Sequence, residues 1–175
     1  MRIHPQTVRN WLTEDLPYFD LTTHILDVGD LSYEMAFYSR EDAIVCGTEE
    51  AEILVRDIGA KVLKTRKSGE RIRKDESFFR VKGSFTALNE IVKVIQNIFE
   101  FGSGIATRTH HLVTKAKTVN PKINILTTRK VFPGTKELSI KGILAGGAYP
   151  HRLGLSETIL LFEQHIDAIG GFTAI

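Results

Sequence analysis

Apolar residues in the first 30 positions recur at the spacing of a helix. Three of them lie on one side of a predicted helix: Val8, Trp11 and Leu12. Proline suits the first turn of a helix, so this helix is predicted from Pro5 to Glu14. Pro17 then breaks the pattern. A second helix is predicted after it, with Asp20 or Thr22 as its cap.

From Tyr33 onward the pattern becomes extended, with short apolar runs separated by turn residues. The runs predicted to be strands are 35–38, 43–46, 62–63 and 78–81. Between the second and third runs, a helix is predicted from Thr48 to about Ile58, and Gly59 supplies its stop. Roughly the first 85 residues are therefore predicted to form a small α+β sandwich.

A long helix is predicted from Leu88. Its apolar residues repeat at intervals of three and four: Leu88, Ile91, Val92, Ile95, Ile98 and Phe99. The sequence Gly102-Ser103-Gly104 is predicted to interrupt this helix. Ile105 resumes the period, and Asn120-Pro121 ends it, because a residue before proline avoids the helical region.

The last third of the chain alternates short apolar runs with helical segments. Strands are predicted over 123–126 and 159–162, and helices over 135–144 and 163–168. Short buried strands that alternate with helices are typical of a parallel sheet or barrel. The predicted class is α/β, with a sandwich and its linking helix over 1–101 and the first part of an open α/β barrel over 102–175.

Composition and charge exclude several classes of function. The net charge is only +2, from 23 basic and 21 acidic residues, which gives no reason to expect a nucleic-acid partner. The single cysteine, Cys46, allows no intrachain disulfide and favours the cytoplasm. We see no signal peptide after Met1 and no apolar run near the ~20 residues that cross a bilayer. The six histidines show no zinc-ligand spacing, so no metal site is predicted.

Polar side chains gather around the ends of the two predicted barrel strands. Arg129 and Lys130 follow the first strand, and His151 and Arg152 lie in the loop before the second. Side chains just past the carboxyl ends of barrel strands face the active site, so these four residues are predicted to meet. Such groups bind carboxylates and phosphates. The spacing alone leaves the alternative of a solvated loop open.

Spaced motifs in the same region resemble the signatures of the quinolinate phosphoribosyltransferase family. In chain order they are Ser103-Gly104-Ile105-Ala106-Thr107, Thr128-Arg129-Lys130, Pro133-Gly134, Gly146-Gly147, His151-Arg152 and Gly154-Leu155. Asp20-Leu21-Thr22-Thr23 is similar to the amino-terminal signature of the family. The resemblance runs from about Leu12 to His165. The segment 154–163 most resembles the ModD branch, which is associated with molybdate-transport loci.

The resemblance implies a pentosyltransferase of the nicotinate-nucleotide pyrophosphorylase type. Family members transfer ribose 5-phosphate from phosphoribosyl pyrophosphate to a ring nitrogen of quinolinate, with magnesium beside the pyrophosphate. They form head-to-tail homodimers in which the sandwich of one subunit covers the barrel mouth of the other. The magnesium ligands of the family would lie beyond residue 175, so none is expected in this chain.

The resemblance also assigns roles to single residues. Arg129 and Lys130 match a substrate-binding pair of the family, and His151 and Arg152 match a second pair. Lys93 stands where the family has an arginine that is supplied across the dimer.

Phe162 stands where the family has a lysine that reaches the substrate. An apolar ring cannot stabilise a carboxylate, and loss of one charged contact costs on the order of 10²–10³ in rate. Phe162 would instead form an apolar wall of the substrate site. An anionic, heteroaromatic acceptor that is flatter or less charged is therefore favoured over quinolinate itself.

The predicted barrel is too short to be complete. Residues 102–175 are far fewer than the roughly 200 that a barrel needs, so we expect an amino-terminal portion of a longer protein that is catalytically incomplete alone. A truncated, non-catalytic module that binds an anion or a partner chain is the alternative. Turnover by the isolated chain would separate the two readings.

Overall fold

The computed structural model describes residues 1–28 and 31–174 as helices and strands joined by short loops. In chain order the elements are α1 (Pro5–Asp15), α2 (Leu21–Leu26), β1 (Ser32–Tyr38), β2 (Ala43–Ile44), α3 (Thr48–Asp57), β3 (Lys61–Thr65), β4 (Arg71–Ile72), β5 (Ser77–Ser84), α4 (Phe85–Val119), β6 (Leu126–Thr127), α5 (Lys136–Ala145), β7 (Tyr149–Pro150), α6 (Glu163–Ala168) and a 3-10 turn (Phe172–Ala174). None of the helices in this described part is long and apolar enough to cross a membrane.

The sandwich predicted for the first part of the chain is present. Its antiparallel sheet has the order β1-β5-β3, and a separate two-stranded sheet pairs β2 with β4. Phe37 of β1 lies opposite Phe79 of β5 and turns inward, where both rings pack edge-on against Phe99 of α4 with centroids 5.3 Å apart. Alternation in the strands and the helical stripe of α4 therefore supply the two sides of one core.

Helix α4 runs without a break through Gly102-Ser103-Gly104, so the predicted interruption is wrong. Gly102 is buried, and a Cβ there would lie 3.2 Å from Leu138 Cδ1 and 3.3 Å from the Cys46 carbonyl oxygen. Ser103 donates its hydroxyl to that carbonyl and accepts from the Cys46 N–H at 3.0 Å. These small residues let neighbouring segments approach the helix closely, and they do not end it.

Helix α5 packs against α4 with their backbones unusually close together. A Cβ at Gly142 of α5 would lie 2.9 Å from the Gly102 carbonyl oxygen, and one at Gly146 would lie 2.5 Å from the Ala106 carbonyl oxygen. Such distances are below normal carbon contacts, so only glycine permits this packing. A small core of Val113, Ile143 and Ala148 continues the contact towards β7.

A buried ion cluster links α3 of the sandwich to α5. Lys141 Nζ donates to Glu49 Oε2 at 2.8 Å and also to Glu50, and the side chains of Lys141 and Glu50 are 5% and 1% exposed. Burial alone would lower the pKa of Lys141, but its hydrogen bonds to both carboxylates raise the pKa instead. Burial likewise opposes ionisation of Glu49, yet hydrogen bonds from Lys141 and Ser68 lower its pKa to about 2.

The barrel portion contains one parallel pair, β6 beside β7, in the described part of the chain. The strand predicted over 123–126 is displaced: β6 covers Leu126–Thr127, so the prediction and the structure share only Leu126. The strand predicted over 159–162 is wrong: these four residues are exposed, Ile159 by 93%, and no described strand pairs with them. An apolar run forms a strand only when a neighbour accepts its backbone hydrogen bonds.

The α4–α5 contact gives a stability prediction. Gly146→Ala should lower the free energy of unfolding by about 1–3 kcal/mol, because its methyl group would overlap Ala106 and Thr109 of α4. Gly104→Ala is the matched control, since a Cβ at this exposed helical position meets nothing within 4 Å. The control should raise stability by up to about 1 kcal/mol. Urea denaturation measures both, and equal stability of the two variants would contradict the packing.

The ion cluster gives a pH prediction. The pKa of Glu49 is about 2 in the folded chain and 4.5 ordinarily, so the unfolded chain binds more protons between these values. Stability from this group is present above pH 4.5 and is lost as the pH falls towards 2. Glu49→Gln should reduce the loss in stability over this range, whereas Glu52→Gln should not. Denaturation midpoints at several pH values provide the measurement, and identical acid profiles for wild type and Glu49→Gln would refute it.

Candidate functional site

The parallel pair β6–β7 brings two polar segments to one edge. The N–H of Tyr149 donates to the Ile125 carbonyl at 3.0 Å, and the N–H of His151 donates to the Thr127 carbonyl at 3.1 Å. Both strands therefore end at the same level. Residues 128–130 and 151–152 leave the sheet side by side, as expected for carboxyl ends of parallel strands.

An open cleft of about 550 Å³ lies beyond these strand ends. Its walls include Arg129 after β6, Arg152 after β7, and Phe162 at the start of α6. The remaining lining residues are Leu155, Ser156, Glu157, Thr158, Ile159, Leu160, Leu161, Gln164 and His165. The two arginines, 23 positions apart in the chain, thus line one cavity. The sequence analysis predicted that four residues would meet there: Arg129, Lys130, His151 and Arg152.

Arg152 is the buried cation of this cleft. The residue is only 8% exposed, and its Nη1 donates to the Thr158 carbonyl at 3.1 Å. Among the described residues, no carboxylate lies within ion-pair distance of it. A buried charge without a counter-charge is costly, so this position favours an added anion.

The other predicted cations lie outside the walls of the cleft. Lys130 and His151 are exposed beside Arg129 and Arg152, on the same strand ends. Lys93 is exposed on α4 and donates to Gln96 Oε1 at 2.9 Å. The structure therefore brings two of the five predicted cationic residues into the cleft, and Lys93 is not among its neighbours.

Phe162 forms an aromatic corner of the cleft. Its ring stacks on that of His165, with centroids 5.9 Å apart and an angle of 29°. The N–H of Phe162 donates to His165 Nδ1 at 3.0 Å, so the imidazole proton of a neutral His165 lies on Nε2.

The sequence analysis did not predict the contacts within the loop that follows Arg152. Glu157 accepts the N–H of Leu153 on Oε2 at 2.5 Å, and Lys136 Nζ donates to the Leu153 carbonyl. Both backbone polar groups of Leu153 are thereby satisfied. Nearly every residue has a backbone N–H, so a glutamate four positions after Leu153 does not by itself predict this contact.

The described residues offer no metal centre. No group of three or more His, Cys, Asp or Glu side chains among them is arranged to hold a metal ion. Cys46 is buried, and burial raises the pKa of its thiol to about 12, so it stays protonated.

Family comparisons cover nearly the whole chain. The model for "Quinolinate phosphoribosyl transferase, N-terminal domain" matches residues 20–103, and the model for the C-terminal domain of the same family matches residues 105–175. Both arginines of the cleft fall within the second match.

Curated relatives agree with these matches. The chain is 36% identical over 164 residues to a pyrophosphorylase named ModD from Rhodobacter capsulatus, covering 94% of this chain and 63% of that protein. It is 26% identical over 163 residues to a carboxylating nicotinate-nucleotide pyrophosphorylase of Methanothermobacter thermautotrophicus, covering 93% and 58%. The chain thus spans about three fifths of the length of these relatives.

Solved structures share the fold. A nicotinate-nucleotide pyrophosphorylase from Ehrlichia chaffeensis superposes with a TM-score of 0.89 at 27% identity, over 99% of this chain and 64% of that one. NadC from Streptococcus pyogenes superposes with a TM-score of 0.88 at 23% identity, over the same shares. The predicted class, a sandwich followed by the start of an open α/β barrel, is confirmed. The chain belongs to the quinolinate phosphoribosyl transferase family, with ModD pyrophosphorylases among its relatives.

Proposed function

We propose that the protein containing this chain transfers ribose 5-phosphate from phosphoribosyl pyrophosphate to a nitrogen of an anionic acceptor. One observation carries the proposal: Arg152 is buried beside Arg129 in a cleft without a carboxylate partner among the described residues. An arginine pair in such a setting fits carboxylate or phosphate groups in a bidentate manner. The known ligands of the family have such groups.

The reaction breaks the bond between C1 of the ribose and the pyrophosphate oxygen, and forms a bond between C1 and the acceptor nitrogen. The chain supplies position and charge and contains no covalent catalyst in this scheme. Arg129 and Arg152 hold acid groups of the acceptor or phosphates of the donor. Lys130, exposed on the same strand end as Arg129, adds positive charge at the rim, and exposed His151 adds a hydrogen-bonding group there.

Phe162 supports a preference among acceptors. Its ring presents an apolar surface stacked on His165, where the resemblance implies a lysine in quinolinate enzymes. A flat, heteroaromatic acceptor fits such a surface. With one cation fewer, the cleft favours an acceptor with fewer acid groups than quinolinate.

Magnesium and a second subunit enter as further parts of the proposal. Magnesium would arrive with the pyrophosphate, but the described residues contain no fitting set of ligands, so no step is assigned to the ion. Lys93, exposed on α4, is available to the cleft of a second copy in a homodimer. The cytoplasm is the proposed location, because a protonated, unpaired Cys46 suits a reducing compartment.

A non-catalytic module that binds an anion or a partner chain is the second candidate. The exposed apolar run at 159–162 favours it, since this part of the cleft is uncovered and open to water. Electrostatic stabilisation of a transition state needs a site from which water is excluded. Both candidates require the anion cleft, and only the first requires turnover.

Calorimetry with phosphoribosyl pyrophosphate, with and without magnesium, tests the proposal. We expect binding by the wild-type chain and at least about tenfold weaker binding by Arg152→Gln, because removal of a charged contact costs about 1.5–3 kcal/mol. Lys117→Gln removes an exposed cation of α4 outside the cleft and should leave the affinity unchanged. Absence of binding heat under both conditions would refute the proposal.

Release of pyrophosphate on addition of an acceptor separates the two candidates. The transferase should release it when a flat heteroaromatic acid is supplied. A binding module should bind the donor without release. Binding by wild type that Arg152→Gln leaves intact would place the donor elsewhere and contradict both.

A further inference from the structure

We propose that Glu157 is a positioning residue for Arg152. It acts through the Arg152 loop, which we define as residues 153–158. The loop leaves Arg152 and returns to it, so that its last carbonyl holds the guanidinium. This inference rests on the proposed function where it concerns ligand binding, but the geometry of the loop stands without it.

Two polar contacts at Leu153 close the Arg152 loop. Its N–H donates to Glu157 Oε2 at 2.5 Å, which joins the first and fifth residues of the loop. Its carbonyl accepts from Lys136 Nζ at the start of α5. Leu153 is thereby fixed both to its own loop and to the first residue of α5.

Thr158 connects the position of Glu157 to that of the Arg152 side chain. Thr158 follows Glu157 directly, and its carbonyl accepts from Arg152 Nη1 at 3.1 Å. Because the two residues are adjacent, the position of the Glu157 backbone limits where the Thr158 carbonyl can lie. The contact between Leu153 and Glu157 therefore orients Arg152 although Glu157 does not touch its guanidinium.

Burial does not hold the Arg152 loop in place. Leu153 and residues 155–158 are exposed, and Gly154 is half-buried. A segment with few buried apolar contacts opens at low free-energy cost unless polar contacts close it. Three charge-assisted bonds therefore restrain the loop, and such bonds are about twice as strong as neutral ones. Only the bond to Glu157 joins two residues within the loop.

The placement of Glu157 also leaves the charge of Arg152 available. No ion pair joins the two residues in the described structure. A carboxylate in direct contact would compete with an incoming anion for the guanidinium. Glu157 instead uses a backbone N–H as its partner, which shapes the site without neutralising it.

The side-chain N–H signals of Arg152 in nitrogen-15 NMR spectra test the positioning role in the ligand-free chain. Arg152→Lys identifies the signals by removing them. Glu157→Ala should make their exchange with water about tenfold faster or faster, because the Thr158 carbonyl is released. Glu157→Gln should restore slow exchange, since its amide oxygen still accepts the Leu153 N–H. Glu163→Ala, a change at an exposed acid of α6 without a hydrogen bond in the described chain, should have no effect.

Binding of phosphoribosyl pyrophosphate provides the second readout. Glu157→Ala should weaken it by about tenfold, and Glu157→Gln should bind nearly as the wild type does. The substituted loop lies outside every hydrophobic core, so the fold should survive each change, as circular dichroism will check. If the negative charge of Glu157 were itself needed for binding phosphoribosyl pyrophosphate, Glu157→Gln would bind as weakly as Glu157→Ala.

Two results would overturn the inference. One is unchanged exchange of the Arg152 signals in Glu157→Ala, and the other is equal acceleration in the alanine and glutamine variants. If the wild-type chain binds no phosphoribosyl pyrophosphate, the proposed function fails, yet the NMR comparison still decides the role of Glu157.

Discussion

The close packing of α5 on α4 is the contact on which the cleft depends. Gly142 and Gly146 place the backbone of α5 against carbonyl oxygens of α4, at distances that any side chain would increase. Strand β7 follows α5 after three residues and pairs with β6. The packing of α5 on α4 therefore fixes the position of β7 beside β6. It thereby also fixes the separation of the segments that carry Arg129 and Arg152.

The buried ion cluster adds a second constraint on the same helix. Replacing such a cluster by apolar residues is often neutral for stability, but removing one partner leaves a costly buried charge. Helix α5 can therefore occupy few other positions, because the charge of Lys141 must stay compensated by Glu49 and Glu50. In our interpretation, the cluster specifies the relation of sandwich and barrel more than it increases stability.

Elements governed by local chemistry were predictable from the sequence. Pro5 begins α1, Asp20 caps α2 through the N–H groups of Thr22 and Thr23, and Gly59 follows α3 with a left-handed backbone. Each of these signals acts within a few residues of itself. The same rules wrongly predicted a helix break at Gly102. The sequence does not show whether a glycine ends a helix or lets a neighbouring segment pack closely against it.

The candidate site was predictable to the extent that it follows from strand ends. Arg129 and Arg152 could be paired in advance because parallel strands present their carboxyl ends on one side. The contacts of Glu49 with Lys141 could not, since 92 residues separate them and neither residue belongs to a recognisable motif. The error at 159–162 has a related cause: a strand needs a partner, and a short apolar run does not reveal whether one is present.

The two arginines of the cleft are held in place by different kinds of contact. Arg129 is carried by a strand end fixed through the helix contact, whereas Arg152 also depends on an exposed loop closed by hydrogen bonds. A site that must admit a ligand and then hold it benefits from this combination, because a loop with few apolar contacts can move at low cost. Under the proposed function, the affinity for an anion should therefore depend on the order of the Arg152 loop as well as on the number of cations.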